Sequence, residues 1–150
     1  MQVLFEAPDQ PALVALIAEL DAYQAALYPA ESNHLLDLAA LCAPDVRFAV
    51  ARDAHGEALG IGAVVLKPGY GEIKRMYVPP ARRGLGIATR LLARLEGQAR
   101  AAGRGSLKLE TGITQPEALR LYERAGFQRC GPFGAYRDDP LSVFMHKPLA

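Results

Sequence analysis

The spacing of apolar residues along the chain switches repeatedly between a period of two and a period of three to four, and each switch marks an element. Residues 2–7, QVLFEA, read as a short opening strand. Asp9 offers an N-cap and Pro11 falls in the first turn of a helix whose Leu13, Leu16, Ile17 and Leu20 recur at helical spacing. YPAESNH (28–34) breaks this helix, and LLDLAAL (35–41) makes a second short one ending near Pro44. VRFAVAR (46–52) and LGIGAVVL (59–66) form a hairpin across the DAHGEA turn, although Gly60 and Gly62 weaken its second strand. GEIKRMYV (71–78) is a further strand. It leads into a helix over 84–103 in which Ile87, Leu91, Leu95, Ala99 and Ala102 share one face, Arg90 and Arg94 another, with Gly103 and Gly105 at its end. LKLET (107–111) is the next strand, and Thr114-Gln-Pro-Glu117 is a capping-box pattern opening ALRLYERAGF, with Gly126 at the stop. Residues 127–131 and 142–148 read as two last strands joined by PFGAYRDDP. With no repeat and no interior linker, the pattern predicts one domain over 1–150. Its element order is βααβββαβαββ, an α+β arrangement of a mixed sheet with helices around it.

Composition narrows the classes without choosing among enzymes. A chain of 150 residues, 51% hydrophobic and 22% charged, is long enough to bury about two-thirds of its unfolded surface. Its net charge of +1 gives no general attraction to nucleic acid or to an acidic membrane. The basic residues are uneven, however: Arg82, Arg83, Arg90, Arg94, Arg100, Arg104 and Lys108 crowd one third of the chain, which suits either an anionic ligand or a solvated helix face. Two distant cysteines, Cys42 and Cys130, have no metal spacing and read as free thiols of a cytoplasmic protein, so no metal is expected. The N-terminus lacks the pattern of a signal peptide, and no run approaches 18 apolar residues, so no membrane span is expected.

Chemistry concentrates in MYVPPARRGLGIATRLLARLE (76–96). The first turn of a helix leaves backbone N–H groups unpaired and carries partial positive charge. Glycines there let a phosphate approach without a Cβ in the way, and an arginine adds charge. A nucleoside triphosphate loop would need a Gly-Lys-Ser/Thr ending, which is missing. A dinucleotide fingerprint would need a third glycine where Thr89 stands.

The segment Arg83-Gly-Leu-Gly86-Ile-Ala88 resembles the acetyl-coenzyme A pyrophosphate loop of the GNAT N-acetyltransferases, Gln/Arg-x-x-Gly-x-Gly/Ala. A second family motif follows one strand later as Leu121-Tyr122-Glu-Arg-Ala-Gly126-Phe127, and the element order also matches. The resemblance covers nearly the whole chain. It implies the GNAT fold, a central mixed, mostly antiparallel sheet of about seven strands flanked by about four helices. It also implies acetyl-CoA as co-substrate and no metal. The backbone of Met76, Tyr77 and Val78 would hold the pantetheine arm. The N–H groups of Arg83, Gly84, Leu85, Gly86, Ile87, Ala88 and Thr89 would cradle the pyrophosphate, and LKLET would splay from GEIKRMYV to make a slot for the thioester. Gln115 stands where the family often has Asn. Many proteins of this fold are dimers, so a homodimer is implied.

Acetyl transfer to an amine calls for a base, an oxyanion donor and a proton for the leaving thiolate. The resemblance makes Tyr122 the proton donor and Glu72 the base, with Glu110 on the neighbouring strand as its competitor. A backbone N–H near Met76–Val78 would meet the oxyanion. Candidates for binding the acceptor are Glu31, Asn33 and His34 after the first helix, Lys74 or Arg75, expected on opposite faces of one strand, and Tyr136 in the late loop. The expected acceptor is the primary amine of a small or amino-acid-like molecule, with neither nucleic acid nor membrane as partner. A protein N-terminus or lysine, or a non-catalytic CoA-binding regulatory module, are the alternatives. ESNHLLDL, GEIKRMYV and CGPFG further resemble a bacterial branch of the family, some members of which carry a label linking them to indole-acetic acid metabolism; no residue here specifies an indole.

Overall fold

The computed structural model describes residues 1–32 and 37–149. Its elements run β1 (Gln2–Phe5), α1 (Pro11–Leu27), α2 (Leu38–Leu41), β2 (Val46–Arg52), β3 (Ala58–Lys67), β4 (Tyr70–Tyr77), α3 (Ile87–Ala101), β5 (Ser106–Gly112), α4 (Pro116–Arg124), β6 (Gln128–Cys130) and β7 (Ser142–Pro148). Single 3-10 turns lie at Ala30–Ser32 and Pro80–Arg82. The expected order βααβββαβαββ is the observed one.

All the strands join one seven-stranded sheet in the order β1-β2-β3-β4-β5-β7-β6. Every neighbouring pair is antiparallel except β4 and β5, which run parallel. Alternation along the strands divides the core in two. On one face Ala49, Ala51, Val64, Ile73, Leu107 and Leu109 pack with Ile87, Leu91, Leu92 and Leu95 of α3 and Leu119 and Tyr122 of α4. On the other, Phe48, Val50, Ile61, Ala63 and Tyr77 pack with Leu13, Leu16, Ile17 and Leu20 of α1. Gly60 and Gly62 sit on the α3 face, where side chains of α3 and the end of β4 come against the β3 backbone.

Two caps differ from expectation. Gln10, not Asp9, is the N-cap residue of α1, and it makes no side-chain cap, because its amide is engaged with Glu6, the Ala7 carbonyl and Arg52. The expected capping box of α4 does not form either. Its N-cap is Gln115, while the Thr114 hydroxyl is taken up by Tyr28 Oη at 2.7 Å. By contrast Asp37 caps α2 through a 2.8 Å bond from Ala40 N–H.

Two departures from regular pairing lie where β4 leaves the sheet. The β4–β5 ladder consists of Gly71–Leu107 and Glu72–Lys108, after which the strands diverge, as expected for a slot. And β4 carries a bulge: its register on β3 passes from Ala63–Lys74 to Ile61–Tyr77, leaving one extra residue on β4. Arg75 absorbs it at φ 57°, the one non-glycine residue with positive φ among the described residues. A bulky side chain in that region costs of order 1–3 kcal/mol and persists where its surroundings hold it. Here the holding contact is the ion pair of Arg75 with Asp21 of α1.

The end of β5 is set by close approach. A Cβ on Gly112 would overlap the ring and hydroxyl of Tyr28, the buried C-cap residue of α1. Gly112→Ala is therefore expected to displace Tyr28 and lower stability by about 1–3 kcal/mol, the usual cost of overpacking. Denaturant unfolding beside the wild type measures it, and an unchanged midpoint would show that Tyr28 is not wedged there.

Candidate active site

The diverging strands open onto two cavities that meet. The larger, about 620 Å³, is bounded by Met76, Tyr77 and Val78 at the end of β4, by Arg82, Arg83, Gly84 and Gly86–Thr89, and by residues 114–118 and 121–122 at and within α4. Local sequence explains its floor. Pro79 and Pro80 cannot continue a strand ladder, and the 3-10 turn they start delivers the chain to two glycines. Gly84 and Gly86 have φ of 83° and 77°, and a Cβ built on either meets nothing within 4 Å. Gly86 is the N-cap of α3, and the first bond within the helix runs from Arg90 N–H to Gly86 O at 3.2 Å. The amides of Ile87, Ala88 and Thr89 therefore face the groove as unfilled donors of a helix N-terminus. The side chain of Leu85 is exposed and lines neither cavity, so only its backbone belongs to the loop. Arg83 bends back: Nε donates to Val78 O at 3.0 Å, and its guanidinium lies over the Tyr23 ring. Arg82 pairs with Glu57 at 2.6 Å.

The smaller chamber, about 100 Å³, lies between the diverging strands. Ile73, Lys74, Arg75 and Met76 of β4 form one wall and Glu110, Thr111 and Gly112 of β5 the other, with Gln24, Tyr28, Ser32 and Leu141 closing it. Lys74 and Arg75 were expected on opposite faces, yet both line the chamber. The bulge breaks the alternation, which is the physical reason for the difference. Leu20, Met76, Gln115, Ala118 and Tyr122 line both cavities, so the chamber and the groove share a passage. Gln115 holds that junction together, its Oε1 accepting from Gly112 N–H at 3.3 Å and from Tyr28 Oη at 3.4 Å.

The candidate catalytic side chains differ in where they face. Tyr122 is buried, and its ring packs edge-on to Phe127 at 5.7 Å. Its hydroxyl makes no hydrogen bond to the described residues. Burial, and then the charge of Glu110, push its proton affinity well above the ordinary tyrosine range. Glu110 lines the chamber and accepts from Ser142 Oγ at 2.7 Å. Glu72 lies behind the chamber wall: it is 5% exposed, lines neither cavity, accepts from Tyr136 Oη at 2.6 Å and pairs with Lys74 at 3.3 Å. Tyr136 is likewise behind that wall, bonded to Lys74 and Glu72 and stacked edge-on to Phe133 and Phe144. Glu31 is exposed and lines neither cavity, while its neighbour Ser32 lines the chamber. Asn33 and His34 lie outside the described residues.

Tyr28, Gln24, Ser32 and Leu141 are chamber residues that sequence reasoning did not single out. Their only signal was position, beside the YPAESNH break and at the end of the Gly/Pro/Asp-rich loop. The two cysteines are free thiols, and no group of three His, Cys, Asp or Glu among the described residues is placed to hold a metal ion. No helix among the described residues is long and apolar enough to cross a membrane.

The groove suits coenzyme A on its own evidence. An open two-glycine cradle and unfilled helix amides fit a pyrophosphate, and the β4 edge beyond the ladder has N–H and C=O groups for an extended arm. The buried Tyr122 hydroxyl waits at the far end. Comparison with known proteins agrees: the model of the acetyltransferase (GNAT) family matches residues 13–127. The "IAA acetyltransferase" of Azospirillum brasilense is 56% identical over 146 residues, 96% of this chain and 95% of that one. A crystal structure of a protein provisionally described as an acyl-CoA N-acyltransferase, from Klebsiella pneumoniae, superposes with a TM-score of 0.84 at 42% identity, covering 99% of this chain and 97% of that one. An aminoglycoside 6'-N-acetyltransferase complexed with coenzyme A shares the fold, with a TM-score of 0.74 at 19% identity over 99% of this chain and 97% of that one. The chain belongs to the acetyltransferase (GNAT) family. It is an acyltransferase.

Proposed function

We propose that this acetyltransferase acetylates the primary amine of a small acceptor, the amine attacking the thioester directly. The observation that carries the reading is the shared passage: a groove suited to coenzyme A and a small polar chamber meet at Tyr122, with Glu110 on the chamber side. When bound, acetyl-CoA supplies the acetyl carbon that the amine nitrogen gains as the carbon–sulfur bond breaks. Glu110 takes the proton that the nitrogen must lose, and the Tyr122 hydroxyl donates toward the sulfur. A chamber of about 100 Å³ is well below the volume that takes a drug-sized ligand, which favours a compact amine over a folded protein segment. Arg75 and Lys74 on its wall supply positive charge, and an amino-acid-like acceptor is compatible with them. The Azospirillum brasilense relative's name supports acetylation of a small molecule as well.

The experiment is release of free thiol from acetyl-CoA on adding a panel of small amines. Amine-dependent release supports the reading. Coenzyme A binding without release for any amine would favour a binding module. The base must be ionised to work, so kcat at saturating acceptor falls as the pH drops and the base takes up a proton. Glu110→Gln is expected to remove that acidic limb and to lower kcat/KM about 10²-fold or more at neutral pH. A limb that survives in this variant would assign the base elsewhere.

A further inference from the structure

Glu72 and Tyr136 have a role that the transfer chemistry leaves open. Three residues lining the chamber are each held from behind by the segment from 136 to 142. Tyr136 Oη bonds the ammonium of Lys74, Asp139 Oδ2 accepts from Ser32 Oγ at 2.7 Å, and Ser142 Oγ donates to Glu110 at 2.7 Å. Leu141, of the same segment, lines the chamber directly, and its carbonyl accepts from Ile113 N–H at 2.9 Å. The partners are far apart in sequence, by 107 residues for Ser32 and Asp139 and by 64 for Glu72 and Tyr136. The segment is thus a template against which the 3-10 turn after α1, β4 and β5 are set.

Its anchor, Tyr136, is half-buried and meets the buried Glu72. The Tyr136 ring lies edge-on to Phe133 at 5.1 Å and Phe144 at 5.5 Å, and Phe133 is edge-on to Tyr70 at 5.8 Å. From this aromatic packing Tyr136 Oη donates to Glu72 at 2.6 Å and accepts from Lys74. Burial and the Glu72 bond push its proton affinity up, so it stays a donor across the working pH range. Glu72 is faced by Lys74 and Tyr70 of its own strand, by its β5 register partner Lys108, and by Tyr136 from the loop. It opens onto neither cavity.

We propose that Glu72 and Tyr136 are positioning residues, a clasp on a buried carboxylate that fixes the 131–142 segment and Lys74 as the acceptor-side wall, and that Glu72 does not exchange protons with the acceptor. This rests on the amine-acetylation reading for its kinetic consequences but not for the clasp itself.

Tyr136→Phe keeps the ring packing and removes the hydroxyl that joins Glu72 to Lys74. The expected result is an acceptor KM raised about tenfold, the cost of losing a charge-assisted hydrogen bond, with the KM for acetyl-CoA unchanged. The acidic limb of the pH profile should remain. Amide hydrogen exchange should accelerate across 131–142 and not in α3. Glu72→Gln retains an oxygen that accepts from Tyr136, so it should keep the acidic limb and most of kcat. Loss of that limb in Glu72→Gln would make Glu72 the base and overturn the proposal. So would a Tyr136→Phe variant with wild-type exchange in the segment. Exchange needs no turnover, so a clasp that fails there is told apart from a wild type that releases no thiol with any amine, which instead defeats the proposed reaction.

Discussion

Phenylalanine at position 122 is expected to lower turnover by about 10²–10³-fold, the usual cost of losing one donor to developing charge. The substitution removes one oxygen and leaves the ring against Phe127, where the centroids are 5.7 Å apart. No bond to the described residues is broken, because the hydroxyl makes none; what disappears is a donor at the passage between the two cavities. The affinity for coenzyme A should therefore stay within about twofold of the wild type, the pattern of an interaction made only as the reaction proceeds. The same burial sets the sign of the pH dependence. The proton affinity of Tyr122 is raised first by burial and then by Glu110, so the donor form persists up to and beyond the ordinary tyrosine range. Tyr122 should contribute no alkaline limb below about pH 10. Single-turnover rates and a kcat–pH profile check both. Equal turnover in the variant would remove Tyr122 from the chemistry.

Valine at Gly86 should act on the other cavity. Gly86 has a φ of 77°, where a β-branched residue is strained by of order 1–3 kcal/mol, and its missing Cβ leaves open the space against the α3 amides. Strain alone would tilt the loop away from its present conformation, and the added methyls would stand where a phosphate must approach. The two effects together should weaken coenzyme A binding about 10–100-fold, since each 1.4 kcal/mol is tenfold. An added Cβ meets no neighbouring atom, so the strain alone should lower the melting temperature, by roughly 2–4 °C per kcal/mol. Calorimetric titration with coenzyme A beside a thermal melt separates the outcomes. Undiminished affinity would place the pyrophosphate elsewhere.

How far the chain announces its structure can be read from particular positions. The apolar spacing of Ile87, Leu91, Leu95 and Ala99 was enough to orient α3, and all four are buried. Val46–Arg52 and Ser142–Pro148 have the bounds read from alternation. The glycines of the 84–86 loop carry their meaning locally, because positive φ is a property of the residue itself. Arg75 shows the opposite case. Nothing about an arginine after a lysine predicts positive φ; the bulge exists because β3 and Asp21 of α1 hold it. The Thr114–Glu117 pattern is a good local cap signal that lost to a longer-range bond, the one from Thr114 to Tyr28, 86 residues away.

The two glutamates mark the boundary most sharply. The family resemblance pointed to Glu72 as the base, with Glu110 on the neighbouring strand as its competitor. The sequence by itself determined the element order, the faces of the helices and the glycine turn that opens α3, since each depends on contacts within a few residues or on a residue's own backbone preference. Only the tertiary structure decided which carboxylate faces the chamber and which is enclosed behind its wall. That choice depends on where β4 and β5 part and on a tyrosine 64 residues downstream of Glu72, and no local pattern carries the position of a distant partner.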